Sequence, residues 1–183
     1  ENFTFKISPM SFYQTNPIQT EVLYNKAIEF AKLDKEDILC DLYCGIGTIG
    51  IFASNKAKKV YGIEIVPEAV ETAKENAKIN NVDNIEFIVG DVEKAFKELI
   101  EVREIHPTAI IVDPPRRGLD ATTMNKILDL EVNKFVYVSC NPATMVRDLK
   151  MLEEKYQVKE IQPVDMFPYT NSVECVSVLQ LKN

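Results

Sequence analysis

A cysteine, Cys140, lies where an apolar run over residues 135–139 ends and a helical pattern begins at Pro142. A thiol at the start of a helix is close to unpaired backbone N–H groups and to the positive end of the helix dipole, which favour the thiolate. Most cysteines in apolar strands are inert packing residues. Because Cys140 lies at a strand end instead, we interpret it as a candidate nucleophile.

A second group of residues has the spacing of a nucleotide site. Gly45 and Gly47 belong to the segment GIGTIG over residues 45–50, which follows an apolar run and opens a helical pattern. A glycine turn between a strand and a helix lets the backbone approach a bound nucleotide, although the same turn can serve packing alone. Glu64 ends the next apolar run, where a carboxylate can accept ribose hydroxyls. Asp91, after the third run, is a further candidate for cofactor binding.

The segment DPPRRG over residues 113–118 follows another apolar run. Its two prolines remove backbone donors and stiffen the chain, so Asp113 and the neighbouring carbonyl groups are held in a fixed geometry. A simple turn is the alternative interpretation.

A base is harder to identify. His106 is the only histidine and precedes a proline, so a Ser-His or Cys-His pair is poorly supported. Glu174 is an acid at the start of an otherwise apolar run, and periodicity alone also allows an exposed strand-end glutamate. Cys40 and Cys175 lie within strand-like runs and are predicted to pack, and no metal site is expected from the cysteine spacing.

The elements that must position these residues alternate along the chain. Asn16, Pro17 and Gln19 form a helix-start pattern, and that helix is predicted to end near Leu33. Strands are predicted at 38–43, 60–65, 85–89, 109–112, 135–139, 159–166 and 173–181, and helices at 48–55, 67–80, 92–105, 122–128 and 142–156.

Short strands that are apolar on both faces and alternate with helices indicate an α/β class with a doubly wound, mostly parallel sheet. Such sheets bind ligands at the carboxyl ends of their strands. Only a short proline-containing link separates the last two strand-like runs, so the last strand is predicted to return antiparallel.

Composition sets further bounds on the chain. Its 183 residues and 46% hydrophobic content suit one domain, with a lead-in strand and helix over 1–33 and a core over 34–183. The first residue is not Met, and residues 3–7 alternate like a strand, so we expect a carboxy-terminal part of a longer protein. No apolar stretch predicts a membrane span, and a cytoplasmic location is the default expectation.

The net charge of −7 argues mildly against a free-standing nucleic-acid binder. Lys and Arg are nevertheless concentrated around the later motifs, so if the substrate is RNA we expect it to bind there. They are Arg116, Arg117, Lys126, Lys134, Arg147 and Lys150.

Six motifs in order give the chain a resemblance to the catalytic domain of RNA 5-methyluridine methyltransferases. They are SFYQTNPIQTEVLY, DLYCGIGTIG, YGIEI, DPPRRG, YVSCNPATMVRDL and DMFPYTNSVECV. The resemblance implies a Rossmann-like class I methyltransferase fold and the cofactor S-adenosylmethionine. It also implies an amino-terminal RNA-binding domain elsewhere in the protein.

The resemblance assigns roles to individual residues. It implies that Gln14, Tyr43, Glu64 and Asp113 contact the cofactor, that Cys140 attacks carbon 6 of uracil, and that Glu174 removes the proton from carbon 5. Arg116 and Asn141 are candidates for binding the uracil edge. Relatives often carry histidines where this chain has Tyr169 and Ser172, which leaves histidine assistance unsupported. The Gly-Ile-Gly-Thr form of the first loop favours 23S ribosomal RNA over transfer RNA.

Three other functions fit some of the same residues. An amino methyltransferase also uses an Asp-Pro-Pro loop, but usually with an aromatic residue where Arg116 stands, and it needs no thiol. A NAD-dependent dehydrogenase fits the glycine turn but leaves the proline loop and Cys140 unexplained. A domain that binds cofactor without catalysis is compatible with the acidic charge.

Overall fold

The computed structural model describes residues 3–7, 14 and 16–182, in which helices and strands alternate. The helices are α1 Pro17–Ala31, α2 Thr48–Ser54, α3 Pro67–Ile79, α4 Val92–Lys97, α5 Ala121–Leu130 and α6 Pro142–Leu152, and a π-helical segment Glu98–Val102 follows α4. The strands are β1 Ile38–Leu42, β2 Lys59–Glu64, β3 Ile85–Val89, β4 Ala109–Val112, β5 Lys134–Ser139, β6 Tyr156–Val164 and β7 Glu174–Leu181.

The strands form a seven-stranded sheet in the order β3-β2-β1-β4-β5-β7-β6. Strands β1, β2 and β3 pair in parallel, as do β4 and β5, whereas β7 is antiparallel to both β5 and β6. The predicted α/β class, the mostly parallel sheet and the antiparallel last strand are therefore confirmed. The helix predicted over 92–105 instead ends its α-helical part at Lys97 and continues as the π-helical segment.

By internal packing the chain divides into two compact units. The first unit comprises Glu1–Tyr13 and Leu33–Thr108, and the second comprises Gln14–Lys32 and Ala109–Asn183. The prediction of one domain over the whole chain stays a prediction. A bilayer-spanning helix needs about 20 mostly apolar residues, and the described part of the chain contains no helix that meets this requirement.

In the first unit, residues 3–7 run extended but form no strand, so the lead-in strand predicted there is wrong. The predicted alternation itself is present, because Phe3 and Phe5 pack on Phe52 while Thr4 and Lys6 are exposed. The backbone of this segment bonds to a helix rather than to a neighbouring strand, and therefore no ladder forms.

Two asparagines hold this segment, one within α3 and one directly after its carboxyl end. Asn76 accepts a hydrogen bond from Lys6 N at 2.7 Å and donates to Lys6 O at 3.2 Å. Asn80 accepts from Thr4 N at 2.9 Å and donates to Thr4 O at 2.8 Å. Asn76 is buried and also donates to Ile46 O at 3.1 Å. One amide thus joins the extended segment, α3 and the loop before α2.

In the second unit, α1 begins as the sequence predicts. The Asn16 side chain accepts from Gln19 N at 3.2 Å, and Pro17 occupies the first helical position. Asn16 also donates to Met166 O at 3.2 Å, which ties the start of α1 to the chain after β6. Part of the first motif, residues 11–13 and 15, lies outside the described residues.

We expect Asn76→Ala to lower the free energy of unfolding by about 2 kcal/mol, because it leaves the buried Ile46 O and the part-buried N and O of Lys6 without their partner. Asn80→Ala is the matched control. Its bonds to Thr4 are exposed, so water replaces them and the loss should stay below about 1 kcal/mol. Urea unfolding measures both values, and equal losses would contradict the assigned role of Asn76.

Candidate functional site

The glycine loop of the first unit follows β1 and has a left-handed backbone at several positions. Tyr43, Gly45 and Gly47 have φ values of 63°, 53° and 81°. A Cβ placed at Gly47 would lie 2.6 Å from the Phe87 ring, so the close packing of this turn requires glycine. A Cβ at Gly45 would meet no atom within 4 Å. The loop therefore packs tightly on one side and leaves open space beside Gly45.

Glu64, at the end of β2, is fixed by backbone amides. Its Oε2 accepts from Gly45 N at 3.0 Å and its Oε1 accepts from Val66 N at 3.0 Å. Each carboxylate oxygen has a further lone pair, because an ionised carboxylate accepts about four hydrogen bonds. Glu64 thus links the glycine loop to the start of α3 and keeps acceptor capacity for a ligand.

Asp41 lies beneath the same loop and is fully buried. Its Oδ2 accepts from Gly50 N at 2.8 Å, whereas its Oδ1 has no hydrogen-bond partner among the described residues. Burial raises the pKa of Asp41 to about 7, the bond from Gly50 N opposes this, and the charge of Glu64 adds to it. A buried acceptor without a partner beside a nucleotide-type turn is what a ligand donor would satisfy.

Asp91 caps α4, and its Oδ1 accepts from Glu93 N at 2.9 Å. The two remaining predicted cofactor residues, Gln14 and Asp113, belong to the second unit. Gln14 is buried, and its Oε1 has no hydrogen-bond partner in the described part of the chain. Asp113 directly follows β4. The cofactor roles of these three residues stay predictions.

In the second unit, the antiparallel pairing of β5 and β7 brings the candidate nucleophile and base together. Ser139 pairs with Cys175 in this register. Cys140 follows Ser139 and Glu174 precedes Cys175, so both lie at the same end of the strand pair. Cys140 is half-buried and Glu174 is fully buried. Sequence periodicity alone allowed an exposed Glu174, and the burial excludes that alternative.

The charges around Cys140 oppose its ionisation. Burial raises the pKa of the thiol above its usual value, and the carboxylates of Glu174 and Asp113 raise it further. Arg116 acts in the opposite direction. The expectation that the helix start favours the thiolate is therefore wrong for the free protein, because burial and two carboxylates outweigh it. Because the charges of Glu174, Asp113 and Arg116 all act on this pKa, the three side chains lie near the Cys140 sulfur.

Glu174 combines burial with an unused acceptor. Its Oε2 is buried and has no hydrogen-bond partner among the residues that the structure describes. Burial raises its pKa to about 7, and the charge of Arg116 opposes the rise. A carboxyl group with this pKa exchanges a proton readily near neutral pH, which suits a general base.

Asn141 connects the loop 113–118 to α6. Its Oδ1 accepts from Ala143 N at 3.1 Å and its Nδ2 donates to Arg116 O at 3.2 Å. Thr144 also donates to Arg116 O, at 3.1 Å. The structure thus gives Asn141 a part in holding the loop and the helix start, and its predicted contact with substrate stays a prediction.

A buried acid that the sequence analysis missed holds the same loop. Asp148 is fully buried and accepts from Leu119 N at 2.8 Å and from Tyr137 Oη at 2.7 Å. Arg147 donates to Asp148 and, at 2.8 Å, to Arg117 O. Its signal was available, since an acid at 148 interrupts the buried helix face of Met145, Leu149 and Leu152. In the sequence alone, Arg147 stands out only as one of several cations.

Gly118 completes this arrangement. Its φ is 78°, and a Cβ there would lie 2.3 Å from Asp148 Oδ2. The loop can reach the buried carboxylate only because position 118 has no side chain. Arg116, two residues earlier, is therefore carried on a backbone segment that hydrogen bonds hold at residues 116, 117 and 119.

Comparisons with known structures first define the fold. A transfer RNA m1G37 methyltransferase of M. jannaschii matches 94% of this chain and 52% of its own, with a TM-score of 0.71 and 20% identity. The Pyrococcus abyssi tRNA (uracil-54, C5)-methyltransferase in complex with S-adenosyl-L-homocysteine matches 98% of this chain and 42% of its own, with a TM-score of 0.82 and 38% identity. The fold is that of the Rossmann-like methyltransferases.

The family follows from the sequence comparisons. The model of the tRNA (Uracil-5-)-methyltransferase family matches residues 1–182. An uncharacterized RNA methyltransferase of Oceanobacillus iheyensis is 53% identical over 182 residues, and one of Clostridium tetani is 53% identical over 179 residues. The chain belongs to the tRNA (uracil-5-)-methyltransferase family, which confirms the resemblance. The matches include 97–99% of this chain, which spans 39% of the length of each of these two relatives.

We expect Glu174→Gln to lower the pKa of the Cys140 thiol, because it removes a negative charge that raises it. Arg116→Gln should raise the pKa, because it removes the opposing positive charge. The rate of Cys140 alkylation by iodoacetamide should therefore reach half its maximum at a lower pH in Glu174→Gln and at a higher pH in Arg116→Gln. Mass spectrometry of the Cys140 peptide measures both, and shifts of the same sign would contradict this arrangement of charges.

Proposed function

We propose that this chain is the catalytic part of an S-adenosylmethionine-dependent enzyme that methylates carbon 5 of a uridine in RNA. The observation that carries the proposal is a thiol and a buried carboxyl group, Cys140 and Glu174, at one end of the β5–β7 pair. Family membership over nearly the whole chain supports it.

The first unit fits the cofactor. The open space beside Gly45, the anchored Glu64 carboxylate and the free oxygen of Asp41 suit a ligand that carries hydroxyl and ammonium donors. We propose that Tyr43, Gly45, Gly47, Glu64 and Asp91 bind it. For Gln14 and Asp113 we propose cofactor contacts on the family resemblance. S-adenosylmethionine supplies an electrophilic methyl group. The Pyrococcus abyssi relative was solved with S-adenosyl-L-homocysteine, the demethylated form of this cofactor.

Carbon 5 of uracil is a weak nucleophile, and we propose that Cys140 activates it by adding to carbon 6. After the thiol gives its proton to solvent, sulfur bonds to carbon 6 and the electrons of the 5,6 double bond move toward carbon 5 and the carbonyl oxygen at position 4. Carbon 5 is then nucleophilic enough to bond to a methyl group, and the electrons of the broken S–CH₃ bond would stay on the cofactor sulfur, which would leave as a neutral thioether. Arg116 favours the thiolate, and we propose that Arg116 and Asn141 also bind the uracil edge.

Glu174 completes the cycle. Once carbon 5 carries the methyl group, the carboxylate removes the remaining proton from it, and the electron pair of that C–H bond restores the double bond as sulfur leaves. Burial keeps water away from this base, and its pKa of about 7 lets it take up and release the proton. A stacked base cannot present carbon 6 to a thiol, so the uridine must be unstacked.

We further propose 23S ribosomal RNA as the substrate, on the form of the glycine loop. Transfer RNA is the second candidate, which the tRNA-modifying relative from Pyrococcus abyssi favours. Mass-spectrometric mapping of 5-methyluridine in ribosomal and transfer RNA from cells that lack the gene tests this choice. Loss from transfer RNA alone would overturn the ribosomal assignment.

Cys140→Ala should abolish methyl transfer in the full-length protein and the covalent adduct with 5-fluorouridine RNA. Glu174→Gln should lower turnover by about 10²- to 10⁴-fold, the usual contribution of a general base. It should also leave an adduct with ordinary RNA that persists, because the proton on carbon 5 is not removed.

Cys175→Ala is the matched control, since this thiol is buried within β7, and it should keep methyl transfer and the adduct. Denaturing gels and methyl incorporation from labelled cofactor measure the outcomes. Undiminished turnover in Cys140→Ala would rule out the covalent scheme and favour an amino methyltransferase.

For the cofactor site, Glu64→Gln should weaken S-adenosyl-L-homocysteine binding by about 10-fold or more, because one backbone amide then faces an NH₂ group instead of an acceptor. Glu68→Gln, on the exposed first turn of α3, is the matched control and should bind as the unaltered protein does. Calorimetry measures both affinities. Equal affinity of the two variants would overturn the role of Glu64.

A further inference from the structure

Tyr169 lies at the midpoint of the loop 165–173, which joins β6 to β7. Val164 and Glu174, the residues on either side of this loop, are paired in the sheet. The loop therefore leaves and re-enters the sheet at the end where Glu174 lies. The ring of Tyr169 is therefore carried on the loop that leads directly into the proposed base.

The Tyr169 side chain is fully exposed, with a relative accessibility of 107%. Its φ of 70° is in the left-handed region, which tyrosine rarely adopts. A large aromatic ring normally contributes to a protein by burying its surface. Here the ring buries nothing and the backbone is strained, so neither packing nor local conformation accounts for tyrosine at this position.

The loop is ordered by its own hydrogen bonds. Phe167 O accepts from Thr170 N at 3.1 Å and from Thr170 Oγ1 at 2.8 Å, and Thr170 Oγ1 in turn accepts from Ser172 N at 3.1 Å. The turn thus fixes the direction in which Tyr169 leaves the backbone. The loop carries one charge, that of Asp165 at its start, and residues 166–173 around Tyr169 are uncharged.

We propose that Tyr169 is a stacking platform for a nucleobase of the RNA beside the target uridine. Unstacking the uridine deprives its neighbours of a stacking partner, and an exposed aromatic ring replaces that partner in proteins that bind single-stranded RNA. The proposal rests on the proposed function and deepens it, because it assigns a substrate contact to a residue outside the reacting pair.

The test compares Tyr169→Phe with Tyr169→Asn in the full-length protein. Phenylalanine keeps the ring, whereas asparagine removes it and tolerates the left-handed backbone. We expect Tyr169→Asn to raise the KM for RNA about 5- to 100-fold, the effect of losing one base–aromatic stack. The kcat at saturating RNA and the affinity for S-adenosyl-L-homocysteine should stay unchanged, and Tyr169→Phe should resemble the unaltered protein.

A second measurement separates this inference from the proposed function. A short single-stranded RNA with 2-aminopurine beside a uridine should lose fluorescence on binding to the unaltered protein and Tyr169→Phe, but not on binding to Tyr169→Asn. Equal quenching and equal KM in all three proteins would overturn the stacking role. Quenching that depends on the ring, in a protein that forms no 5-methyluridine, would support Tyr169 as an RNA contact and overturn the proposed function instead.

Discussion

The antiparallel register of β5 and β7 is the constraint on which the proposed chemistry depends. It places Ser139 opposite Cys175, and the residues next to this pair are the thiol and the buried carboxyl group. A shift of one residue would turn Glu174 to the opposite face of the sheet, because side chains alternate along a strand. Since β7 is also paired with β6, the ladder on each side fixes its position.

A second layer of interactions holds the groups that surround this pair. Arg116 is on a loop whose carbonyl groups accept hydrogen bonds from Asn141, Thr144 and Arg147. Asp148 binds the end of the same loop from inside the unit. The cation that favours the Cys140 thiolate is therefore carried on a fixed backbone.

Local patterns predicted most of the elements and the residues at their ends. Glycine spacing and strand ends identified Gly47 and Glu64, because turns and short apolar runs are local in sequence. The predicted pKa direction of Cys140 was wrong, since burial and the charges of Glu174 and Asp113 raise this pKa, and all three depend on distant parts of the chain. The position of Asp148 on the apolar face of α6 is visible in the sequence, but its donors Leu119 and Tyr137 are distant in sequence, so its role was missed. Which strands pair in the sheet also depends on residues that are distant in sequence, as the pairing of β5 with β7 does.

The attachment of residues 3–7 has a geometric consequence. Four residues of an α-helix rise about 6 Å, and two residues of an extended chain advance nearly the same distance. The spacing between the side-chain amides of Asn76 and Asn80 therefore matches the spacing between the backbone groups of Lys6 and Thr4 that they bind. Inserting a single residue into α3 between the two asparagines would rotate one of them by about 100° around the helix axis. Because both asparagines bind backbone groups of the segment, these bonds depend on the length of the helix and not on the side chains at positions 4 and 6.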